Sequence, residues 1–371
     1  MTPKKRKVAL LYDYLFSRGG AEKLSYSLLR GVPNSDFYVA LRDEELFASN
    51  DLENGGGRLN VLTSYTSSKG WKAVKTMLVF MLKPPKLSDY DCAVYSGEYA
   101  PMALLRKQAR AKRNIMYCHT IPRGPYDLYE HKLKQHTGIK LLAFIILSKV
   151  IKVLYGASMK HLDLIIANSE NVRQRIKTYL GLEAVVVNPP IDTERFRWEG
   201  QGDYYLSTAR LEQAKRVDLI IEAFQNMPDK KLIVASGGSE YERLAALADG
   251  YANITLTNWN SEEELHQLVG HCIATIYVPI NEDFGMSPLE SMSAGKPCIG
   301  VAEGGLLETV KHEKTGWLID DLSSESICKA VNLASLETCL SMKDTCVSHA
   351  QNYSEAIFQE KIRTLVIENS L

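Results

Sequence analysis

Two cations and two carboxylates in this chain have the spacing of a binding site. Arg210 and Lys215 lie in the run RLEQAK, after one predicted strand and before a predicted helix. A helix start offers unpaired N–H groups, and an Arg and a Lys beside it suit a diphosphate, each charge-assisted hydrogen bond contributing about 1.5–3 kcal/mol. Glu282 and Glu290 lie in EDFGMSPLESMSAGKPCIGVAEGGLLET, the stretch from 282 to 309. Within it, Ser287-Pro288-Leu289-Glu290 has the pattern of a capping box with Pro at the first helical position. The spacing therefore predicts a helix from Ser287 to about Ala294, stopped by Gly295 and Pro297. Cys298 to Ala302 reads as a short buried strand. Glu282, Asp283, Phe284 and Gly285 then occupy the loop before the helix, and Gly304-Gly305 the loop after the strand. Polar groups and bare backbone converge at one sheet edge, where α/β proteins bind ligands.

The elements that must position these residues alternate strand and helix, which predicts an α/β fold of parallel sheets with helices on both faces. In the first half, Val8 to Tyr14 is a strand broken only by Asp13. Gly19-Gly20 makes a turn, and Ala21, Leu24, Leu28 and Leu29 recur at helical spacing. Further strands are expected at Phe37 to Ala40, Cys92 to Tyr95, Asn114 to Cys118 and Leu164 to Ala167. His119 falls at the carboxyl end of one of them. Asn188-Pro189-Pro190-Ile191 fits neither helix nor central strand, which places an interdomain linker at 189–198 between domains at 1–188 and 199–352. The second domain is expected to run through strand Tyr204 to Ser207, helix Val217 to Gln225, strands Lys231 to Ala235 and Ile254 to Leu256, helix Glu262 to Val269, and strand Ala274 to Tyr277.

Composition narrows the function classes. The chain has 371 residues, ample for two domains, and its 45% hydrophobic and 24% charged residues are ordinary for a globular protein. With 44 basic and 44 acidic residues there is no basic excess to point to nucleic acid. Seven cysteines without a C-x-x-C suit a reducing cytosol better than secretion. The basic run Pro3 to Lys7 abuts the first strand and reads as its flank rather than an import signal, and no signal peptide is expected. Asp89-Tyr90-Asp91 spells D-x-D but immediately precedes a strand, and no metal site is expected.

The Glu282-x7-Glu290 spacing, set in EDFG-x-S-P-L-E and followed by GKP and GG-x-x-E-T, resembles the signature of the retaining glycosyltransferases of family 4. That resemblance implies the GT-B fold: two Rossmann-like domains facing across a cleft, with a C-terminal helix (353–371) packing back on the first. It implies a nucleotide-sugar donor, with no separate cofactor and no metal. Arg210 and Lys215 would hold the donor diphosphate, Glu290 the ribose hydroxyls, and Glu282 would lie beside the sugar. Asp283, Phe284, Gly285, Met286, Ser287 and Gly237 complete the implied donor site. Asn258-Trp259 resembles the loop that lines the nucleobase, although Trp259 as a core residue remains open. Gly304, Gly305 and Leu306 can present backbone N–H groups. In the first domain, Arg18-Gly19-Gly20-Ala21-Glu22 resembles the family's GGAE loop, and His119 would touch the hexose. Glu22 reads equally as a helix N-terminal charge.

The stretch His119-Thr120-x-Pro122-Arg123-x-x-Tyr126-Asp127-Leu128-Tyr129 further resembles bacterial mannosyltransferases that extend polyprenyl-diphosphate-linked glycans. It implies mannose from GDP-mannose as the transferred group, a cell-surface polysaccharide such as lipopolysaccharide as the product, and Arg123 as a partner for an acceptor phosphate. A UDP-sugar donor, or an inactive sugar-nucleotide-binding subunit, stays open. Met77 to Leu82 and Leu141 to Leu147 are apolar runs flanked by Lys72, Lys75, Lys83, Lys86 and by Lys140, Lys149, Lys152, Lys160. Both are too short to span a bilayer, which needs about 20 residues. They can lie at an anionic membrane surface or pack as ordinary helices, which gives a cytoplasmic protein, peripheral on the inner face of the plasma membrane in the first case.

Overall fold

The computed structural model describes residues 6–16, 19–47, 57–64 and 69–368, with the side chains of 69–71 and 368 excepted. Pro3, Lys4 and Lys5 of the basic run, and Arg18 of the loop before Gly19, lie outside the described residues. The chain divides into two compact units, one formed by 1–189 with 356–371 and the other by 190–355.

The first unit is built on a seven-stranded parallel sheet. Its strands are β1 (Val8–Leu15), β2 (Asp36–Arg42), β3 (Leu59–Val61), β4 (Cys92–Ser96), β5 (Arg113–Cys118), β6 (Leu164–Ala167) and β7 (Val185–Val186), in the order β3-β2-β1-β4-β5-β6-β7. Both faces are covered, so Val8, Ala9, Leu10, Leu11 and Tyr12 are all buried in sequence. This is the continuous apolar run expected of a parallel strand with helices on either side. The last helix, Glu355–Arg363, returns to this unit. Phe358 and Ile362 join Leu24, Leu28 and Tyr117 in one core cluster, and a Cβ on Gly31 would stand 3.4 Å from Ile362.

The second unit repeats the plan with six parallel strands. These are β8 (Tyr204–Ser207), β9 (Lys231–Val234), β10 (Ile254–Leu256), β11 (Thr275–Tyr277), β12 (Cys298–Val301) and β13 (Gly316–Ile319), ordered β10-β9-β8-β11-β12-β13. Residues 190–198 are packed into this unit. Ile191 donates its N–H to the Tyr353 carbonyl at 2.9 Å, and Phe196 is buried against Leu206 and Ala235. In each sheet the strand order reverses once, between β1 and β4 and between β8 and β11. Loops leaving the two central strands diverge there and open a crevice at the carboxyl edge.

Two sequence expectations are corrected. The helix after Gly285 runs Met286–Ser293, with Gly285 as its N-cap at φ 90° and no side-chain cap bond. Ser287 is therefore inside the first turn, and the capping box with Glu290 does not form. The apolar run at 141–147 belongs to a 22-residue helix, Gly138–Met159, long and apolar enough by length and composition to cross a membrane. Its buried Ile151, Tyr155 and Met159 pack with Met77 and Met116 in the first unit, which holds the helix along that unit's surface. The other run ends in the helix Lys69–Leu82, where Lys72 sits 3.9 Å from the Phe16 ring centre and Lys75 donates to the Ser64 carbonyl at 2.8 Å.

Because Phe358 is fully buried in the first unit, Phe358→Ala is expected to destabilise that unit by about 3–5 kcal/mol. In urea unfolding followed by a probe in each unit, the first unit's transition should move and the second's should not.

Candidate functional site

In the second unit Lys215 and Glu282 meet at the reversal of strand order, while Arg210 pairs with Glu212 and Glu290 with Arg195. Arg210 and Lys215 follow β8, and Glu282 follows β11. Lys215 ends the short 3-10 turn Gln213–Lys215, and its Nζ donates to Glu282 Oε2 at 2.7 Å and to the Tyr277 hydroxyl at 2.9 Å. An ammonium has three N–H donors, so these two partners leave one for a ligand. Arg210 is 65% exposed and pairs with Glu212 at 3.3 Å. Burial and the Glu282 carboxylate raise the Tyr277 hydroxyl's pKa well above its ordinary value, while the Arg210 charge works the other way. Tyr277 thus stays a neutral hydrogen-bonding group beside both cations.

The two turns are braced by residues that the sequence reading did not single out. Arg216, at φ 52°, stands in a conformation that costs a non-glycine residue about 1–2 kcal/mol. Its guanidinium offsets this by donating to the carbonyls of Val278 and Pro279, each at 2.7 Å, and to Glu303 Oε1 at 3.0 Å. The other oxygen of Glu303 accepts the Asn281 N–H at 3.1 Å. One carboxylate therefore ties the Lys215 turn to the Glu282 turn.

Gly304 and Gly305 serve the same loop. A Cβ on Gly304 would stand 2.4 Å from the Glu282 carbonyl oxygen, and one on Gly305 would stand 2.3 Å from Phe284 Cα. The Gly305 N–H donates to the Glu282 carbonyl at 2.8 Å, and Leu306 heads a helix of only four residues, Leu306–Thr309. Those glycines let two backbones touch. The Gly305 N–H is not available to a ligand as the sequence suggested. Phe284 is buried in the core, whereas Asp283, Met286 and Ser287 keep partial exposure.

Glu290 is half-buried and accepts from Arg195 Nη1 at 3.2 Å, while Arg195 Nε reaches Glu262 at 3.0 Å. Its carboxylate pairs with that guanidinium rather than with the backbone N–H groups that a cap would use. Trp259, after β10, is 67% exposed, so it is not a core residue. Its indole nitrogen lies 2.5 Å from where a Gly237 Cβ would be, which explains that glycine by packing rather than by ligand approach. Lys296 of the GKP run is buried, donating to the Gly200 carbonyl at 2.7 Å, and is structural.

In the first unit, His119 follows β5 and Ser96 ends β4. The His119 Nε2 lies 2.7 Å from the Ser96 hydroxyl, and the rings of Tyr117 and Tyr12 flank it at 5.5 and 6.1 Å. Burial pushes the imidazole pKa down to about 4. His119 is therefore neutral near pH 7 and suited to hydrogen-bond a hydroxyl rather than to neutralise a phosphate. Gly19 precedes the helix Gly20–Gly31 as an extended N-cap, and Glu22 is buried in its first turn. Across the β1/β4 reversal, buried Asp13 accepts the N–H groups of Glu98 at 2.6 Å, of Tyr99 at 3.1 Å and of Ala100 at 2.7 Å. Gly97, at φ 114°, leaves room for that carboxylate, which burial pushes up to about 7 against the pull of those N–H groups. Asp89-Tyr90-Asp91 leads into β4, with Asp91 paired to Lys112 at 2.7 Å.

Comparison with known proteins bears on this geometry. Residues 190–352 match the family described as "Glycosyl transferases group 1". The chain is 33% identical over 162 residues to the alpha-1,3/1,6-mannosyltransferase ALG2 of Dictyostelium discoideum, a match covering 37% of this chain and 37% of that protein. It is 29% identical to the protein of the same name from Saccharomyces cerevisiae, over 85% of this chain and 74% of that one. It is 28% identical to the GDP-mannose-dependent alpha-(1-6)-phosphatidylinositol monomannoside mannosyltransferase of Mycobacterium tuberculosis, over 46% of this chain and 51% of that protein. The chain thus spans little more than a third of the Dictyostelium relative and about half of the mycobacterial one. Among solved structures, Anabaena HepE in complex with UDP superimposes with a TM-score of 0.74 at 15% identity, covering 97% of this chain and 99% of that one. At that identity the likeness shows the fold alone.

Two outcomes are expected from this geometry. Below pH 6.5 the unfolded chain takes up a proton at His119 that the folded chain refuses, so stability is lost as pH falls from 6.5 towards 4. Asp13 acts in the opposite sense over an overlapping range, because its folded pKa is raised. The difference between wild type and His119→Gln isolates the histidine. At pH 5 it should cost the wild type about 2 kcal/mol relative to neutral pH, and urea titrations at the two pH values measure it. Separately, Lys215→Ala should weaken nucleoside diphosphate binding about tenfold or more with the fold intact. Unchanged affinity in calorimetry would remove Lys215 from the site.

Proposed function

We propose that this GT-B glycosyltransferase, whose residues 190–352 form a glycosyl transferases group 1 domain, moves mannose from GDP-mannose to a lipid-linked glycan with retention of anomeric configuration. The observation that carries the donor side is the Lys215–Glu282–Tyr277 cluster at the reversal of strand order, with one ammonium donor left for a phosphate oxygen. The choice of mannose is supported by relatives whose names say mannosyltransferase, and of GDP-mannose by the mycobacterial one.

The residues suit a same-face displacement. The bond from the sugar's anomeric carbon to the diphosphate breaks while the acceptor hydroxyl oxygen bonds to that carbon from the same side. The acceptor proton passes to the departing diphosphate oxygen. Arg210 and Lys215 stabilise the charge that grows there, Glu290 orients the ribose, and Trp259 offers its exposed face to the base. Glu282 both sets the direction of Lys215 and lies where a sugar hydroxyl would be held. Two cations at the diphosphate meet the need that a divalent metal would otherwise fill.

The acceptor is proposed to be a polyprenyl-diphosphate-linked glycan of cell-surface polysaccharide synthesis. The protein would reach it from the cytoplasm as a peripheral membrane protein. Support comes from the helix Gly138–Met159, which leaves Ile139 84% and Val153 70% exposed alongside Ile146 and Val150. Lys140, Lys149 and Lys152 are exposed on the same helix. Apolar side chains among lysines, on a helix anchored to the fold by its buried residues, suit the surface of an anionic bilayer.

Calorimetry with GDP, UDP, ADP and GDP-mannose, without added metal, tests the donor. Tightest binding of GDP and GDP-mannose is expected. A preference for UDP would keep the transferase and replace the sugar, and no binding of any of the four would overturn the donor reading. Glu282→Ala is expected to abolish transfer while GDP affinity stays within about a few-fold, as fits a residue that acts on the sugar and reaches the nucleotide only through Lys215.

A further inference from the structure

Beside the sheet of the first unit, a set of charged groups lies outside the donor chemistry. The loop after His119 turns back on itself at Arg123, whose carbonyl accepts the N–H groups of Tyr126 at 3.1 Å and Leu128 at 2.9 Å. This brings Arg123 onto Asp127, with Nε donating to Oδ2 at 2.9 Å. The same oxygen is approached by Arg175 Nε at 3.4 Å, from the helix Glu170–Leu180, and Arg175 Nη1 donates to the Thr120 hydroxyl at 2.7 Å. One carboxylate oxygen is thus shared by two guanidiniums, which weakens its hold on each. Arg123 Nη2, itself buried while Asp127 holds the side chain, lies 2.9 Å from that oxygen but off the line for a hydrogen bond and has no other acceptor. Asp127 Oδ1 likewise has no donor. Arg123 keeps 21% of its side chain open to solvent.

A third cation stands close by, on the apolar helix. Lys152 lies over the rings of Tyr129 and Tyr126, at 4.9 and 5.5 Å from their centres, and Tyr129 stacks on Phe144 of the same helix at 5.6 Å. The Arg123 loop, Lys152 and the exposed apolar side of Gly138–Met159 are therefore neighbours. Cations with unused donor capacity beside an exposed apolar helix have the chemistry to hold a phosphate attached to a hydrocarbon chain.

We infer that Arg123 and Lys152 form a site for the phosphate or diphosphate of a membrane-borne amphiphile, with Asp127 as the internal anion that occupies Arg123 until the phosphate arrives. Arg175 and Thr120 are positioning residues that fix Asp127 and the loop. The inference rests on the lipid-linked acceptor proposed above and names the residues that hold its charged end. It also makes Asp127 a competitor of the ligand, which a purely structural ion cluster would not be.

The test is flotation of the full-length protein with phosphatidylcholine vesicles carrying a polyprenyl diphosphate, in saturating GDP so that Lys215 and Arg210 are occupied. Vesicles made equally negative with phosphatidylglycerol form the second arm. Wild type is expected to bind the diphosphate vesicles best. Arg123→Gln and Lys152→Ala should each weaken that binding about tenfold, and Asp127→Asn should strengthen it. Equal losses on the phosphatidylglycerol vesicles would keep the phosphate site and assign it to bulk headgroups. Lys152 is exposed, so Lys152→Ala tests the site even if Arg123→Gln fails to fold. Wild-type binding by Lys152→Ala, or weaker binding by Asp127→Asn, would overturn the inference. GDP affinity, measured in parallel, should be unchanged in every variant. Its absence from the wild type would instead count against the donor reading.

Discussion

The Glu303 carboxylate is the contact on which the donor-side geometry depends. Parallel strands send their loops apart where the strand order reverses, so Arg210–Lys215 and Glu282 start on diverging paths. Glu303 closes the gap by accepting from Arg216 on one path and from the Asn281 N–H on the other. Lys215, at the end of a single 3-10 turn, and Glu282, in a loop, then meet at 2.7 Å. The strained Arg216 backbone and the paired Gly304-Gly305 are best understood as costs of that closure. The first lets the guanidinium turn back under β11, and the second lets the β12 loop lie against the Glu282 backbone.

The first unit answers the same geometric problem with a different residue. At its own strand reversal, Asp13 reaches from β1 to three N–H groups of the segment after β4. Next to it, Ser96 ties the end of β4 to His119 after β5. In both units a carboxylate draws together loops that the sheet topology separates, one through a side-chain cation and the other through bare backbone donors. The difference matters for titration. A carboxylate held only by N–H groups in a dry setting is pushed towards neutrality by burial, and Asp13 shows that shift.

The sequence made the alternation of strand and helix legible, because buried parallel strands are short continuous apolar runs between turn residues. Leu164–Ala167, Tyr204–Ser207 and Ile254–Leu256 fall where that pattern predicts. Local motifs were less secure. Ser287 and Glu290 have capping-box spacing, but Gly285 at positive φ starts the helix before Ser287, whereas at Ser169, Ser261, Ser323 and Ser335 the side-chain cap does mark the helix start. Arg216, Glu303 and Arg195 act through partners 67 to 95 residues away or through backbone carbonyls, and a linear reading has no handle on either. Asp13 did leave a trace. A lone carboxylate inside an apolar strand must find donors when it is buried, so the interruption was itself the signal.

The helix Gly138–Met159 shows how apolar composition can mislead. Its hydrophobic residues run all round rather than along one stripe, and the uninterrupted apolar run at 141–147 is only seven of its 22 residues. That ambiguity has a physical counterpart during synthesis. Until β6 emerges and Tyr155 and Met159 find Met116, this stretch is a freely available apolar helix of membrane-spanning length. The nascent chain therefore passes through an interval in which packing on the sheet competes with capture by a bilayer or a chaperone. The outcome is set by timing, because the residues that commit the helix to the fold lie at its end and leave the ribosome last.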